Sequence, residues 1–299
     1  MAADVVTLRA GTLEARFVPG VGMVGASLRH HGRELLGRRD GLDAYASRGS
    51  TFGIPLLHPW ANRLGGFTYR AAGRDVVLRA GQPGLRTEEH GLPIHGVLAA
   101  SPRWEVAERD ERRLSARLDY DAPELLEVFP FVHRLSIDVT LTGDALTVTT
   151  TLTATGEHEV PVSFGWHPYL QLPGVAREDV VMRTPAMSHL SLDGLGLPTG
   201  AEAPVPARDQ PLGDAAVDDL FGDLPEPLAV SLTGGPRQVT VRFVEGYTHL
   251  QLFAPPGRPF IAVEPMTAPT DALRSGRGLR LVPPGAPFRA TFMIEIADL

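Results

Sequence analysis

The sequence contains no cysteine and no lysine. Without cysteine, the chain can form neither disulfides nor thiolate zinc sites, and a cysteine nucleophile is excluded. Without lysine, it can form no Schiff base and carries no phosphate-loop lysine. All 28 positions counted as Lys or Arg are therefore arginine.

Two further features are missing: an apolar run long enough to span a bilayer, and an excess of positive charge. The formal net charge is −7, whereas nucleic-acid-binding proteins normally present a basic face to phosphates. Residues 1–9 lack the basic region and apolar core of a secretion signal. We therefore expect a cytoplasmic protein that binds neither nucleic acid nor membrane.

Hydrophobic and polar residues alternate with a period of two along much of the 299-residue chain, which is typical of strands with one buried face. We predict an all-β fold in one domain, residues 1–299: a large antiparallel β-sandwich whose concave face carries the functional site. The predicted strands cover residues 12–18, 75–79, 114–120, 135–141, 146–152, 239–243 and 289–296.

Helical periodicity is nearly missing. Short helical turns are predicted at 121–127 and 214–221, and the Pro- and Gly-rich stretch 195–213 is predicted to be a long surface loop.

Glu264 follows the apolar run 260–263 and precedes Pro265. We expect Pro265 to end the strand, because proline has no amide hydrogen for the ladder. A carboxylate at the end of a rigid buried strand is well placed to act as a base. The alternative is a structural ion pair with one of the arginines.

The segment 55–63 ends in Asn62 and Arg63, which offer hydrogen-bonding groups suited to a ligand. Trp60 could stack on a sugar ring, or it could pack in the core. For Arg63 the alternative role is a surface ion pair.

His90 and His95 flank a turn containing Gly and Pro. A metal site is one interpretation, but Gly and Pro forbid the helical spacing of a zinc motif. We predict no metal here, and consider His95 either a ligand-binding residue or an ordinary structural histidine.

His167 lies between Trp166 and Pro168, and a residue before proline favours an extended backbone. Its imidazole can donate and recover a proton near neutral pH. Farther along, Asp218 and Asp219 are adjacent carboxylates, which could bind a ligand or cap a helix.

Taken together, these segments resemble the aldose 1-epimerase (galactose mutarotase-like) family. The resemblance runs in order through five segments that span most of the chain. They are Pro-Trp-Ala-Asn-Arg at 59–63, Ile-His-Gly at 94–96, Gly-Trp-His-Pro-Tyr at 165–169, Val-Asp-Asp-Leu-Phe at 217–221 and Val-Glu-Pro-Met-Thr at 263–267.

The resemblance implies the galactose mutarotase-like supersandwich and a role for individual residues. Glu264 matches the general base and His167 the general acid, while Arg63 and His95 match sugar contacts. Asp218 matches an acceptor of sugar hydroxyls, with Asp219 as its alternative. We also place the adjoining Asn62 and Trp166 among the substrate-binding residues.

The implied reaction interconverts the α and β anomers of an aldose by opening and reclosing its ring. It needs no metal and no other cofactor. The expected partner is a small monosaccharide, and the expected state is a monomer or a homodimer.

Three alternatives remain open from the sequence. A hexose-6-phosphate 1-epimerase would need arginines directed at the phosphate. A non-catalytic sugar-binding protein of the same fold would need no acid and base pair. A glycoside hydrolase would need two facing carboxylates.

Overall fold

The structure is a computed structural model that describes residues 4–48 and 51–299. Its described residues form strands far more often than helices. The strands are β1 (Val6–Ala10), β2 (Leu13–Val18), β3 (Val24–His30), β4 (Arg33–Glu34), β5 (Leu56–Leu57), β6 (Thr68–Ala71), β7 (Arg74–Val77), β8 (Arg86–Thr87), β9 (Pro93–Ile94), β10 (Glu105–Arg109), β11 (Arg113–Tyr120), β12 (His133–Leu141), β13 (Ala145–Ala154), β14 (Val160–Val162), β15 (Gly165–Trp166), β16 (Tyr169–Leu170), β17 (Val181–Thr184), β18 (Met187–Leu192), β19 (Pro198–Val205), β20 (Arg208–Pro211), β21 (Val217–Gly222), β22 (Leu228–Gly234), β23 (Arg237–Glu245), β24 (His249–Ala254), β25 (Ile261–Met266), β26 (Arg280–Val282) and β27 (Pro287–Asp298).

The helices are few and short: α1 (Gly41–Arg48), α2 (Pro123–Leu126) and α3 (Ala272–Ser275), with 3-10 turns at Pro19–Val21 and Arg177–Asp179. None of the helices in the described part of the chain is long and apolar enough to cross a membrane.

Two large antiparallel sheets dominate the fold. One has nine strands in the order β10-β11-β12-β13-β27-β23-β22-β17-β20, and the other has eight strands, of which seven follow the order β19-β18-β21-β24-β25-β15-β5 while β16 pairs with β25. A four-stranded sheet, β1-β2-β3-β4, and three two-stranded ribbons accompany them.

The main hydrophobic core contains alternate residues of both large sheets. Leu135, Ile137 and Val139 of β12 belong to it, as do Ile261 and Val263 of β25, and all five are buried. Removing such side chains from water is the main stabilising term of a sandwich. The structure therefore confirms the predicted large antiparallel β-sandwich.

The alternating segments of the sequence correspond to β2, β7, β11, β12, β13, β23 and β27. The helical turn predicted at 121–127 is α2. Alternation was a reliable signal for these strands, because each buries one face and exposes the other.

The helical turn predicted at 214–221 is wrong, because Val217–Gly222 is a strand paired with β18 on one side and β24 on the other. The predicted loop at 195–213 is wrong as well, since it contains the edge strands β19 and β20. Both edge strands are largely exposed and therefore show no hydrophobic alternation. The short helix α1 had no sequence prediction at all.

Pro265 does not end the strand as predicted, since β25 continues to Met266 and Pro265 pairs with Leu250. The Val263 amide donates to Pro168 on the other side of β25. Because amides alternate in direction along a strand, the Pro265 nitrogen faces that same side, where the partner strand is interrupted between β15 and β16. The absence of an amide hydrogen at Pro265 therefore costs the sheet little hydrogen bonding.

Candidate active site

A cavity of about 390 Å³ opens on the face of the eight-stranded sheet that lies away from the main core. Its floor comes from β24 and β25, where Gln251 pairs with Glu264, and from β21, where Asp218 pairs with Phe253. Successive side chains point to opposite faces of a strand, so this register presents the polar residues together. The cavity is lined by Arg39, Arg48, Thr51, Asn62, Arg63, Arg86, Thr87, Glu88, Ile94, His95, His167, Tyr169, Asp218, Gln251, Phe253 and Glu264.

Glu264 and His167 are in direct contact in this cavity. The distance from Glu264 Oε1 to His167 Nε2 is 3.0 Å, and the residues are only 2% and 4% exposed. His167 is placed by the extended backbone between β15 and β16, where its amide donates to the Pro55 carbonyl. Within residues 4–48 and 51–299, Glu264 Oε2 and His167 Nδ1 are buried without a hydrogen-bond partner, so each is available to a ligand.

Burial sets the protonation of this pair. It raises the pKa of Glu264 well above its ordinary value; Asp218 raises it further, and Arg63 opposes the shift. Burial also lowers the pKa of His167 to about 3, and the Arg39 charge acts in the same direction. Both shifts favour the neutral forms in the absence of substrate, a protonated carboxyl beside a neutral imidazole, so that the pair shares one titratable proton.

Tyr169 packs against the face of the His167 ring. The two rings stack with centroids 4.1 Å apart, and the Tyr169 hydroxyl lies 3.1 Å from His167 Nε2. Burial raises the pKa of Tyr169 to about 12, so the phenol keeps its proton. Arg39 Nη1 donates to the same hydroxyl over 3.3 Å.

Asn62 and His95 are held by a shared backbone contact. Both have left-handed backbone conformations, with φ of 56° and 61°, and the His95 amide donates to the Asn62 carbonyl over 2.9 Å. Asn62 Oδ1 accepts from the Arg63 amide and from Arg63 Nη1. Asn62 therefore lines the cavity and also orients Arg63.

His95 faces the catalytic candidates as a neutral ring. Its ring lies nearly perpendicular to that of His167, with centroids 5.6 Å apart. Burial lowers the pKa of His95 well below its ordinary value, and the neighbouring His167, Arg86 and Arg63 add to the shift. Its Nδ1 has no hydrogen-bond partner among the residues that the structure describes, so a ligand could take that position.

Glu88 is a cavity residue that the sequence did not reveal. Its Oε1 accepts from the amides of His90 and Leu92, and its Oε2 lies 3.7 Å from Arg63 Nε. Burial raises the pKa of Glu88, but these amides and Arg63 outweigh it and leave the pKa below its ordinary value. Glu88 therefore presents a carboxylate beside Arg63.

The structure distinguishes the two adjacent aspartates. Asp218 lines the cavity and accepts from Gln251 Nε2 over 2.6 Å. Asp219 points to the opposite face of β21, where its Oδ1 lies 3.1 Å from His189 Nε2. Burial raises the pKa of Asp218 despite the opposing effects of Arg63 and Gln251.

Trp166 was predicted to bind substrate, and that prediction is wrong. The side chain is fully buried in the main core, where Nε1 donates to Thr150 Oγ1 of the facing sheet over 3.0 Å. Because Trp166 and His167 are consecutive in an extended segment, their side chains point to opposite faces. Trp60 is also a core residue.

The other six predicted site residues, Asn62, Arg63, His95, His167, Asp218 and Glu264, all line the cavity. Arg39, Arg86, Glu88 and Gln251 join them without any sequence signal that would have singled them out.

Two groups of side chains in the described ranges have the spacing of metal ligands: His30, His31 and Asp298, and Glu88, Glu89 and His90. Neither includes Glu264 or His167. A reaction without metal remains a prediction.

The fold and site thus define a sugar-sized polar cavity on a large β-sandwich, with a carboxyl and an imidazole in contact at its floor. The family model described as Aldose 1-epimerase matches residues 4–295. The chain belongs to this family.

Two proteins of Escherichia coli (strain K12) are similar to this chain, and both are described as uncharacterized. YihR is 24% identical over 256 residues, covering 81% of this chain and 80% of that protein. YphB is 30% identical over 119 residues, and that match spans 40% of this chain and 37% of YphB.

Among solved structures, a galactose mutarotase-like protein from Clostridium acetobutylicum has a TM-score of 0.83 at 18% identity. The match covers 99% of this chain and 96% of that one. At this identity, the similarity concerns the fold.

Proposed function

We propose that this protein is an aldose 1-epimerase, a cofactor-independent isomerase that interconverts the α and β anomers of an aldose. The observation that carries the proposal is the 3.0 Å contact between Glu264 Oε1 and His167 Nε2 in a buried cavity. An acid and a base at this short distance from each other can act on two neighbouring oxygens of one sugar ring.

The reaction begins with the C1 hydroxyl at Glu264 and the ring oxygen at His167. Glu264 takes the hydroxyl proton while His167 protonates the ring oxygen, so the bond from C1 to the ring oxygen breaks and the aldehyde forms. Rotation about C1–C2 presents the other face of the aldehyde. Ring closure with the two residues in reversed roles then gives the opposite anomer.

The proton count of the site suits this reaction. Moving the single proton of the pair from Glu264 to His167 gives the carboxylate and imidazolium that ring opening needs, without exchange with solvent. Bound sugar hydroxyls favour this form by donating to the carboxylate, because hydrogen bonds to the charged form lower the pKa of a carboxyl group.

Polar groups around the pair suit the remaining sugar oxygens. Arg63 and His95 would stabilise charge that develops on the ring during opening. Asp218, fixed by Gln251, would accept from a sugar hydroxyl. The expected ligand is therefore a monosaccharide.

The test is anomer exchange measured by polarimetry or NMR across a panel of aldoses, with wild type and Glu264→Gln. Gln keeps the shape but cannot take the proton, so we expect a loss of about 10²–10⁴-fold in kcat. Glu108→Gln on the exposed strand β10 is the matched control.

If the wild type accelerates no aldose over buffer, the epimerase proposal is wrong and sugar binding without catalysis becomes the better interpretation. If Glu264→Gln is as active as Glu108→Gln, Glu264 is not the base.

A further inference from the structure

Arg63 and Glu88, which both line the cavity, face each other across a narrow gap. The distance from Arg63 Nε to Glu88 Oε2 is 3.7 Å, which is too long for a hydrogen bond. Both atoms are buried, and neither has a hydrogen-bond partner among the residues that the structure describes. A buried donor and a buried acceptor are therefore left unsatisfied side by side.

The backbone fixes the position of Glu88. Its Oε1 accepts from the His90 amide over 2.9 Å and from the Leu92 amide over 3.0 Å. These amides belong to the turn between β8 and β9, where the Glu88 amide donates to the Leu92 carbonyl. The Glu88 side chain is only 8% exposed, so Oε2 is presented to the gap by an anchored carboxylate.

Arg63 is fixed by two other contacts. Its Nη1 donates to Asn62 Oδ1 over 3.0 Å. Gly196, in the turn between β18 and β19, lies so close that a Cβ atom there would be 2.9 Å from Arg63 Nη1 and 3.1 Å from Arg63 Cζ. Glycine, which lacks a Cβ atom, leaves room for the guanidinium. The gap between Arg63 and Glu88 is thus set by three separate segments of the chain.

A single hydroxyl group fits this gap. A hydroxyl oxygen about 2.8 Å from each atom could accept from Arg63 Nε and donate to Glu88 Oε2, because hydrogen bonds to charged groups have this length. A hydroxyl is a donor and an acceptor at once, whereas an anionic group would be repelled by Glu88. The proposed reaction uses the C1 hydroxyl and the ring oxygen at Glu264 and His167, so the hydroxyls left for this gap are those on the other sugar carbons.

Resting on the proposed function, we propose that Glu88 is a specificity-determining residue that, together with Arg63, binds one hydroxyl of the aldose away from C1. The competing role for Glu88 is to hold Arg63 in place through its charge alone. A hydroxyl contact makes Glu88 matter only for sugars that carry that hydroxyl. A purely positioning role makes Glu88 matter equally for every sugar.

Anomer-exchange NMR on the intact protein tests the proposal with a deoxy series. The parent sugar is the aldose with the highest kcat/KM in the panel that tests the proposed function; for glucose, the series is its 2-, 3-, 4- and 6-deoxy derivatives. Removing the bridging hydroxyl leaves two charged groups unpaired, so we expect at least one derivative to lose about 10- to 100-fold in kcat/KM. This measurement needs no variant.

Glu88→Gln identifies the hydroxyl. The amides of His90 and Leu92 would retain the Gln oxygen, so the Gln NH₂ group would face Arg63 and could not accept from a hydroxyl. We expect kcat/KM for the parent to fall by about 10- to 100-fold, and that for the derivative without the bridging hydroxyl to change by less than about twofold. Glu89→Gln is the matched control, because the Glu89 side chain is 82% exposed and does not line the cavity.

Gly196→Ala provides a second variant if Glu88→Gln does not fold. The added methyl group would displace the Arg63 guanidinium from the gap, so the ratio of kcat/KM between the parent and one deoxy derivative should fall by about tenfold. Gly213→Ala is its matched control, because Gly213 also has a positive φ but a Cβ atom there would meet nothing within 4 Å. Equal ratios in the two glycine variants would contradict the inference.

Two further results would overturn the inference while leaving the proposed function intact. One is a deoxy series in which no derivative loses as much as about tenfold in kcat/KM. The other is a Glu88→Gln variant that is as active as Glu89→Gln, or that loses activity equally on the parent and on every derivative. A wild type that accelerates no aldose over buffer would instead contradict the proposed function, and this inference with it.

Discussion

His58 with His133, and His167 with Glu264, are two buried contacts between titratable side chains in very different settings. The histidine pair is joined at 2.9 Å between Nε2 atoms, and the second pair at 3.0 Å. All four residues are at most 4% exposed. Burial, contact and shifted pKa values are thus common to both.

The surroundings of the histidine pair are aromatic. His133 stacks on Tyr120 with centroids 4.6 Å apart, and His58 lies edge-on to Phe129. His133 Nδ1 donates to the Phe131 carbonyl over 2.6 Å, which leaves its Nε2 to accept from His58. This pair therefore fixes core packing.

The second pair faces a cavity with charged walls instead of an aromatic core. In the described part of the chain, His167 and Glu264 each keep one buried polar atom without a hydrogen-bond partner, as His58 does, but Arg63, Asp218 and Gln251 lie around the second pair in the cavity. The comparison teaches that a perturbed pKa alone does not identify a catalytic group, because access to a ligand is also needed.

The largest effect that would test this contrast is on stability. His133→Ala removes a stacked ring and leaves the His58 donor unpaired, so we expect the free energy of unfolding to fall by about 3 kcal/mol. Urea unfolding at pH 7 measures it. The exposed His158→Ala should stay within about 0.5 kcal/mol of wild type, and equal effects for the two variants would contradict a packing role for His133.

The pH dependence of stability provides the next test. Burial lowers the pKa of His133 to about 4 and that of His58 well below its ordinary value of 6.5. Between pH 6.5 and 4 the unfolded chain therefore binds protons that the folded protein excludes. Stability is fully present above pH 6.5 and falls as the pH drops, by about 1.4 kcal/mol per pH unit for each such histidine.

Glu264, with its raised pKa, acts in the opposite direction, because its folded form retains a proton that the unfolded form loses above the ordinary carboxyl pKa. The informative quantity is thus the difference between wild type and His133→Ala in urea unfolding at pH 5 and pH 7. The variant should lose less stability across this interval. Equal losses would mean that His133 is not kept neutral.

The smallest effect concerns the catalytic candidates. Asp218 raises the pKa of Glu264. Asp218→Asn should therefore lower the pKa of Glu264 and shift the alkaline limb of the pH profile of kcat/KM to lower pH. That limb marks loss of the last proton from the pair. Its position is independent of any loss in maximal activity.

Asp219→Asn is the matched control for this shift, since Asp219 pairs with His189 on the opposite face of the strand. An alkaline limb that stays in place in Asp218→Asn, or moves equally in both variants, would show that Asp218 does not influence Glu264.

Much of the fold was predictable from local pattern. Strands such as β12 and β13 alternate because one face of each is buried, and that constraint acts residue by residue. The edge strands β19 and β20 were missed because both of their faces are largely exposed. Their pairing with β18 and β17 depends on distant parts of the chain.

The candidate site was predictable where functional residues lie in short motifs. The prediction that Trp166 binds substrate failed because adjacent residues of an extended segment point to opposite faces. That rule could have assigned Trp166 to the core once His167 was placed in the cavity. Pairing of β21 with β24 placed Asp218 rather than Asp219 beside Gln251. No motif contained Arg39, Arg86 or Glu88.

By itself, the sequence determined the all-β class, the family and six cavity residues, because alternation and short motifs are local properties. Only the tertiary structure decided which atoms meet. The contact of Glu264 with His167, the face that Asp218 occupies and the position of Arg39 and Arg86 in the cavity wall all arise where separate strands and loops converge. Such convergence depends on strand register and packing, which no single segment encodes.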